Sequence, residues 1–160
     1  MQVFIRKAEK KDINKITELL REVLELHAAI RPDIFVSGTT KYTGSELAAI
    51  IENEKTPVFV AEGDDGEVKG YAFCQIKEPP FSTNMRKVKS LFIDDLCVDE
   101  NCRGSHVGQT LFSFVKEFAK GAGCYDITLN VWAGNDNAVR FYDKMGMFVK
   151  ETQMEFILDK

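Results

Sequence analysis

Between Val88 and Lys120 the apolar pattern changes period once, and that change constrains the architecture more than any other feature of the chain. Up to Val98 the residues read as a long strand, Leu91-Phe-Ile and Leu96-Cys-Val, with the polar step Asp94-Asp95 in its middle. From His106 onward Val107, Leu111, Phe114, Val115 and Phe118 recur at helical spacing, and Gly121 and Gly123 end the run. The loop Asp99–Ser105 joins the two. A helix start carries free N–H groups and the positive end of the helix dipole, so it can hold an anion. Small residues at Gly104, Ser105 and Gly108 let the backbone approach a phosphate closely. An ordinary loop turned by glycine has the same look, so this segment alone leaves both readings open.

The rest of the chain alternates in the same way. Val3–Arg6 reads as a strand. Asp12–Leu26 reads as a helix, with Ile13, Ile16, Leu20, Val23 and Leu24 on one stripe and Asp12 at the dipole's positive end. His27 closes that helix, and 27–42 is irregular, broken by Pro32 and Gly38. Thr43-Gly-Ser-Glu46 reads as a capping box ahead of Leu47, Ile50 and Ile51. Pro57–Glu62 and Glu67–Lys77 read as a hairpin around Gly63-Asp-Asp-Gly66. Glu78–Met85 is a proline-bearing loop. Tyr125–Val131 reads as a strand. Asn135 or Asp136 caps a helix that ends at Gly146, and Met147–Leu158 reads as a last strand or hairpin pair. The order β-α-α-β-β-β-α-β-α-β predicts one α/β domain over residues 1–160, a mixed sheet with helices on both faces.

Composition removes several function classes. The net charge is −4 with no Lys/Arg block, which argues against nucleic acid as a partner. No apolar run approaches the ~20 residues that span a bilayer, and the start MQVFIRKAEKKD is not patterned as a signal peptide, so no membrane partner is expected. The four cysteines form no CxxC pair and there are two histidines, so no metal site is expected. Unpaired Cys74 and Cys97 in apolar runs read as core residues and fit a reducing cytoplasm.

Two blocks resemble the GNAT superfamily of acetyl-coenzyme A dependent N-acetyltransferases. Arg103-Gly-Ser-His-Val-Gly108 is similar to the family's R/Q-x-x-G-x-G/A loop, with His106 where the middle glycine usually stands. Asn135-Asp-Asn-Ala-Val-Arg-Phe-Tyr142-Asp-Lys-Met-Gly146 resembles its N-x-x-A-x-x-F-Y-x-x-x-G run, and Ile5–Asp12 resembles its opening. The resemblance implies a GNAT-like, mostly antiparallel fold with acetyl-coenzyme A as co-substrate and no metal. It implies a diphosphate held by Arg103, Gly104, Ser105, His106, Val107, Gly108 and Gln109. The pantetheine arm would lie beside Asn135 and along Leu96, Cys97 and Val98, where the fourth strand and the one after it splay apart. A positive φ at residue 106 is tolerable for histidine, though unfavourable.

Catalytic roles follow from the same comparison. Tyr142 is the expected proton donor to the departing thiolate, although its stripe with Ala138 and Met145 also fits plain core packing. Phe92-Ile-Asp-Asp-Leu96 resembles the acidic strand of polyamine acetyltransferases, which implies Asp94 as the base candidate and Asp95 as a charge facing the substrate. Strand neighbours point to opposite faces, so both face one side only if a bulge intervenes. His27, Phe35 and Tyr42 are candidate acceptor contacts, and Phe81 a further wall or dimer contact. The expected acceptor is a small cationic amine, served by a cytoplasmic monomer or homodimer. A protein N-terminus or lysine, a non-catalytic acyl-coenzyme A module, and a site for another nucleotide stay open.

Overall fold

The computed structural model describes residues 2–79 and 83–159, so Phe81 lies outside the described residues. The chain runs β1 (Val3–Lys7), a 3-10 turn (Lys10–Asp12), α1 (Ile13–Ile30), α2 (Gly44–Glu52), β2 (Val58–Gly63), β3 (Val68–Lys77) and β4 (Ser90–Val98). A second 3-10 turn (Glu100–Cys102), α3 (Val107–Gly121), β5 (Asp126–Leu129) and α4 (Asp136–Lys144) follow. One sheet forms in the order β1-β2-β3-β4-β5. Its first three pairings are antiparallel and the β4–β5 pairing is parallel. The mixed, mostly antiparallel α/β sheet expected from the sequence is the one observed.

Two cores form because β2 buries both of its faces. Val58 and Val60 point to one side, where Ile16, Leu19 and Leu20 of α1 and Leu47 of α2 pack with Tyr71 and Phe73. Phe59 and Ala61 point to the other, against Leu111, Phe112 and Val115 of α3 and Leu91 and Ile93 of β4. The α3 stripe read from the sequence includes Phe114 and Phe118, which set their rings edge-on to Phe59, with centroids 5.0 Å away in each case.

Local signals mostly hold. The Thr43 side chain accepts from Glu46 N–H at 3.1 Å, and Glu46 accepts from Thr43 N–H at 3.0 Å, closing the capping box. Helix α1 runs to Ile30, so His27 lies inside its last turn rather than at its end. Arg31, held out of the helical region because Pro32 follows, stops it. Asp12 does not cap α1 with its side chain. Its buried carboxylate instead accepts two bonds from Arg6, at 2.8 and 3.0 Å, and one from Glu9 N–H at 2.8 Å. Arg6 also donates to Glu62 at 2.6 Å, so β1, the 3-10 turn and β2 are locked by one guanidinium.

The expected last strand or hairpin over Met147–Leu158 does not form. The segment after α4 is irregular and outside the sheet, although its apolar content suits a strand. A strand needs a neighbour's amides and carbonyls, and neither β5 nor another part of the described chain supplies them.

Candidate active site

The β4–β5 ladder begins at Ser90 and Asp126 and ends at Ile93 and Leu129. Beyond it, β4 continues through Asp94–Val98 with β3 as its one strand partner among the described residues. The splay expected from the sequence is therefore present. It leaves the β5-facing main-chain groups of Leu96, Cys97 and Val98 without a strand, which is a slot for a ligand able to pair as one.

Opposite this slot the register of β3 and β4 shifts. Phe73 faces Asp95 while Cys74 faces Ile93, so Asp94 is an extra residue in β4. This bulge answers the question raised by two adjacent carboxylates. Leu91 and Ile93 face the α3 core, and without the extra residue Asp95 would follow them there. With it, Asp94 and Asp95 both turn toward the α1–α2 side. Asp94 accepts from Lys41 Nζ at 2.8 Å and from Tyr42 Oη at 3.3 Å. Asp95 accepts from Tyr71 Oη at 2.6 Å. Burial pushes the Asp95 carboxyl up to about 6, against the opposing pull of the Tyr71 bond and the Lys41 charge. Burial works to lower the Lys41 ammonium, but its contact with Asp94 prevails and raises it.

An aromatic wall stands on the same side. Tyr42 stacks on Phe73 at 5.9 Å, and Tyr71 meets Phe73 edge-on at 5.0 Å. The His27 ring lies 5.2 Å from Phe35, and Phe35 meets Trp132 edge-on at 5.3 Å. His27 is held below its ordinary pKa by burial and then by the charge of Lys41. His27 and Phe35 thus form one aromatic group with Trp132, and Tyr42 and Asp95 lie in another around Phe73 and Tyr71. Lys41, Tyr71 and Trp132 join them unannounced. Lys41 carried no motif, and Tyr71 read as one more strand aromatic. Trp132, the chain's single tryptophan just beyond the β5 run, was the one findable signal.

At the other end of the slot, His106 is the one non-glycine residue with positive φ among those described, at φ 65 and ψ 16. The loop needs a left-handed residue there, and histidine supplies it where glycine would be unstrained. Gly104 is left-handed too, at φ 84. Thr110 N–H is the first to close a helical bond, to His106 O at 3.0 Å. The N–H groups of Val107, Gly108 and Gln109 therefore have no helical partner, and the His106 side chain at the N-cap does not cap them. The His106 ring leans to Gln109, Nδ1 to Oε1 3.3 Å. Gly108 has a packing reason for being glycine. A Cβ there would sit 3.1 Å from Phe141 Cε1 and 3.4 Å from Val98 Cγ2. Asn135 caps α4 by accepting from Ala138 N–H at 3.3 Å.

Tyr142 joins both ends. Its ring packs between Phe141, at 5.1 Å, and Phe112, at 6.4 Å. Burial raises its phenol well above the usual range, and the charges of Asp95 and Cys97 add to this. It stays a neutral donor at physiological pH. The Cys97 thiol is pushed up to about 12, by burial first and then by Asp95, so it is not a thiolate nucleophile.

The splayed mixed sheet, the unpaired strand edge, the uncapped helix start and the partly buried phenol of Tyr142 belong to one scaffold. The chain belongs to the acetyltransferase (GNAT) family, whose model matches residues 14–147. It is an N-acetyltransferase, and the family uses acetyl-coenzyme A as co-substrate. Its relatives include the glucosamine 6-phosphate N-acetyltransferase of Trypanosoma brucei brucei, 28% identical over 159 residues, 96% of this chain and 95% of that protein. The thialysine N-epsilon-acetyltransferase of Bos taurus is 27% identical over 154 residues, 90% of this chain and 83% of that one. Among solved structures, a point mutant of the BH1408 protein from Bacillus halodurans superposes with a TM-score of 0.93 at 31% identity. That match covers 97% of this chain and 99% of the other. No helix among the described residues is long and apolar enough to cross a membrane.

Proposed function

We propose that this enzyme moves an acetyl group from acetyl-coenzyme A directly onto the primary amine of a small cationic acceptor. The observation that carries the reading is the ammonium of Lys41 seated on Asp94, on the face where the bulge places both carboxylates. The seat already holds a primary ammonium, so an acceptor of the same chemistry has a place to dock by displacing a half-exposed lysine.

Acetyl-coenzyme A supplies the activated acetyl group as a thioester. The groups of this chain fit it. Leu96, Cys97 and Val98 offer unpaired main-chain groups to the pantetheine arm. The free N–H groups of Val107, Gly108 and Gln109, with Arg103, Gly104, Ser105 and His106 shaping the loop, suit the diphosphate. Asn135 uses its side-chain oxygen as a cap and keeps its NH2 for the arm.

In this reading the two aspartates exchange the roles drawn from the sequence. Asp94 seats the ammonium. Asp95, titrating near 6, takes the proton, because a base is most effective when its pKa lies near the working pH. A main-chain N–H of Leu96–Val98 polarises the acetyl carbonyl, and Tyr142 protonates the leaving sulfur. Most of the acceleration comes from holding two substrates in line. The neutral Cys97 thiol supports direct transfer over an acyl-enzyme.

A second reading has one observation in its favour: two relatives of this chain are glucosamine 6-phosphate N-acetyltransferases. In that case Lys41 would meet the substrate's phosphate. Thiol release across polyamines, lysine analogues, glucosamine 6-phosphate and short peptides separates the two. Faster turnover with diamines supports the cationic acceptor, and a marked preference for the sugar phosphate overturns it.

A further inference from the structure

We propose that Lys41 is a self-modification site: with acetyl-coenzyme A bound and no acceptor present, the enzyme acetylates the Nζ of its own Lys41. The inference rests on the reading of Asp94 as the seat of the acceptor amine. Lys41 Nζ lies 2.8 Å from Asp94 Oδ2 and 5.4 Å from the centroid of the Tyr42 ring, and its side chain is 45% exposed. Lysine and an acceptor of the proposed class carry the same reacting group, so the chain holds a nucleophile of its own where the acceptor docks. Lys10, Lys15 and Lys69 are turned elsewhere, onto Glu52, Asp99 and Asp65.

The residues that follow Lys41 keep it there. Tyr42 Oη reaches the same Asp94 oxygen at 3.3 Å, and its ring stacks on Phe73 of β3 at 5.9 Å. Thr43, next along, is fixed by the capping box of α2. The ammonium is therefore tethered at the seat, and a tethered group reacts as if at high local concentration. Asp94 precedes Leu96, where the slot opens, by two residues, roughly 7 Å of strand. A half-exposed lysine covers such a span by rotamer changes along its flexible stem. The charge of Asp95 acts on both Lys41 and the Tyr142 phenol, so one carboxylate stands between the amine and the proton donor to the thiolate.

The step needs no reactant besides the thioester. The Lys41 ammonium leaves Asp94 and passes one proton to Asp95. Its lone pair forms the N–C bond to the acetyl carbonyl, and the C–S bond breaks with its electron pair on sulfur. Tyr142 protonates that sulfur and is restored by the second proton, which the nitrogen sheds as the amide forms. Asp95 then releases its proton to water. The products are acetyl-Lys41 and free coenzyme A. The contact with Asp94 holds Lys41 in its charged form, so the step is slow and happens once per chain. The amide is neutral and no longer seats on Asp94. The modified enzyme is therefore expected to take cationic acceptors with a KM lower by up to about fivefold, the worth of one exposed ion pair.

The test follows the intact mass and the peptide map of the full chain incubated with acetyl-coenzyme A and no amine. One acetyl group per chain is expected, confined to Lys41, at a rate independent of protein concentration. Label spread over several lysines overturns the proposal, and so does a rate that rises with protein concentration. Lys41→Arg keeps the charge on Asp94 and is expected to take no label; label that persists in it overturns the proposal. A competition on the unmodified chain covers the case in which the variant fails to fold. A diamine at ten times its Kd, with acetyl-coenzyme A in excess, is expected to slow labelling about tenfold by taking the seat. Labelling that ignores the diamine overturns the proposal. An unlabelled Lys41 in a chain that turns over cationic amines sinks this inference and leaves the acceptor reading standing. A labelled Lys41 in a chain that prefers glucosamine 6-phosphate does the reverse.

Discussion

The Asp95 carboxyl accepts from Tyr71 at 2.6 Å and titrates near 6 rather than at its ordinary 3.8. Folding raises this pKa, so the native state holds the proton more tightly than the unfolded chain. The group costs nothing below about pH 4, and its cost grows to roughly 3 kcal/mol as pH rises through 6. Asp95→Asn is therefore expected to stabilise the fold at pH 7.5 by up to that amount and to leave stability at pH 4 unchanged. Turnover should fall at least ~100-fold, with the acidic limb of the pH–rate profile lost. Denaturant melts at both pH values and the profile itself check this. A variant no more stable at pH 7.5 would count against the buried-base reading. Two further residue-scale outcomes separate binding from chemistry. Tyr142→Phe should lower kcat about 100-fold with acetyl-coenzyme A affinity kept. Lys41→Ala should lower KM for cationic amines by vacating Asp94, measured against kcat, which should move little.

At the scale of elements, the start of α3 carries two demands that can be tested apart. Gln109 is exposed in the first turn, where a negative charge favours the helix by about 0.3–1 kcal/mol. Gln109→Glu should thus hold or raise the melting temperature while weakening acetyl-coenzyme A binding by repulsion, read by calorimetry. Unchanged affinity would move the diphosphate elsewhere. Gly108 answers to α4 instead. The sequence invites a reading of Gly108 as a phosphate contact whose replacement leaves the fold intact. Its Cβ position lies 3.1 Å from Phe141, so in Gly108→Ala the Phe141 ring must give by a few tenths of an ångström, at a net cost of about 0–2 kcal/mol once alanine's helix preference is set against it. A melting curve on that variant reads the cost without any ligand.

At the scale of the molecule, the splay between β4 and β5 is an opening, which in the proposed function the pantetheine arm would close. Acetyl-coenzyme A at one hundred times its Kd should add about 2.7 kcal/mol of stability by linkage, and ATP much less, because it has no pantetheine arm for Leu96–Val98. Equal stabilisation by the two would mean that the phosphate loop binds without the slot. The α1 face and the α3 face meet at that opening through Asp95 on one side and Tyr142 on the other. The Asp95 charge reaches the Tyr142 phenol and helps to keep it protonated across the sheet.

Much of this was legible in the chain. Period-2 and helical stripes placed β2, β3, α2, α3 and α4 within a few residues, because those patterns follow from which side each element buries. Thr43, Gly66, Gly104 and Gly146 marked turns and caps through local backbone preference, and the left-handed His106 followed from the loop motif. The bulge at Asp94 was not legible, since a register is set by the partner strand as much as by the strand that carries the extra residue. Nor were the Lys41–Asp94 pair, the Tyr71 bond to Asp95 or the Phe35–Trp132 contact, each made across more than twenty residues of chain. The segment after α4 shows the division most sharply. Its apolar content suits a strand, but pairing is a property of two segments, and whether a second one stands beside it is decided by the tertiary structure alone.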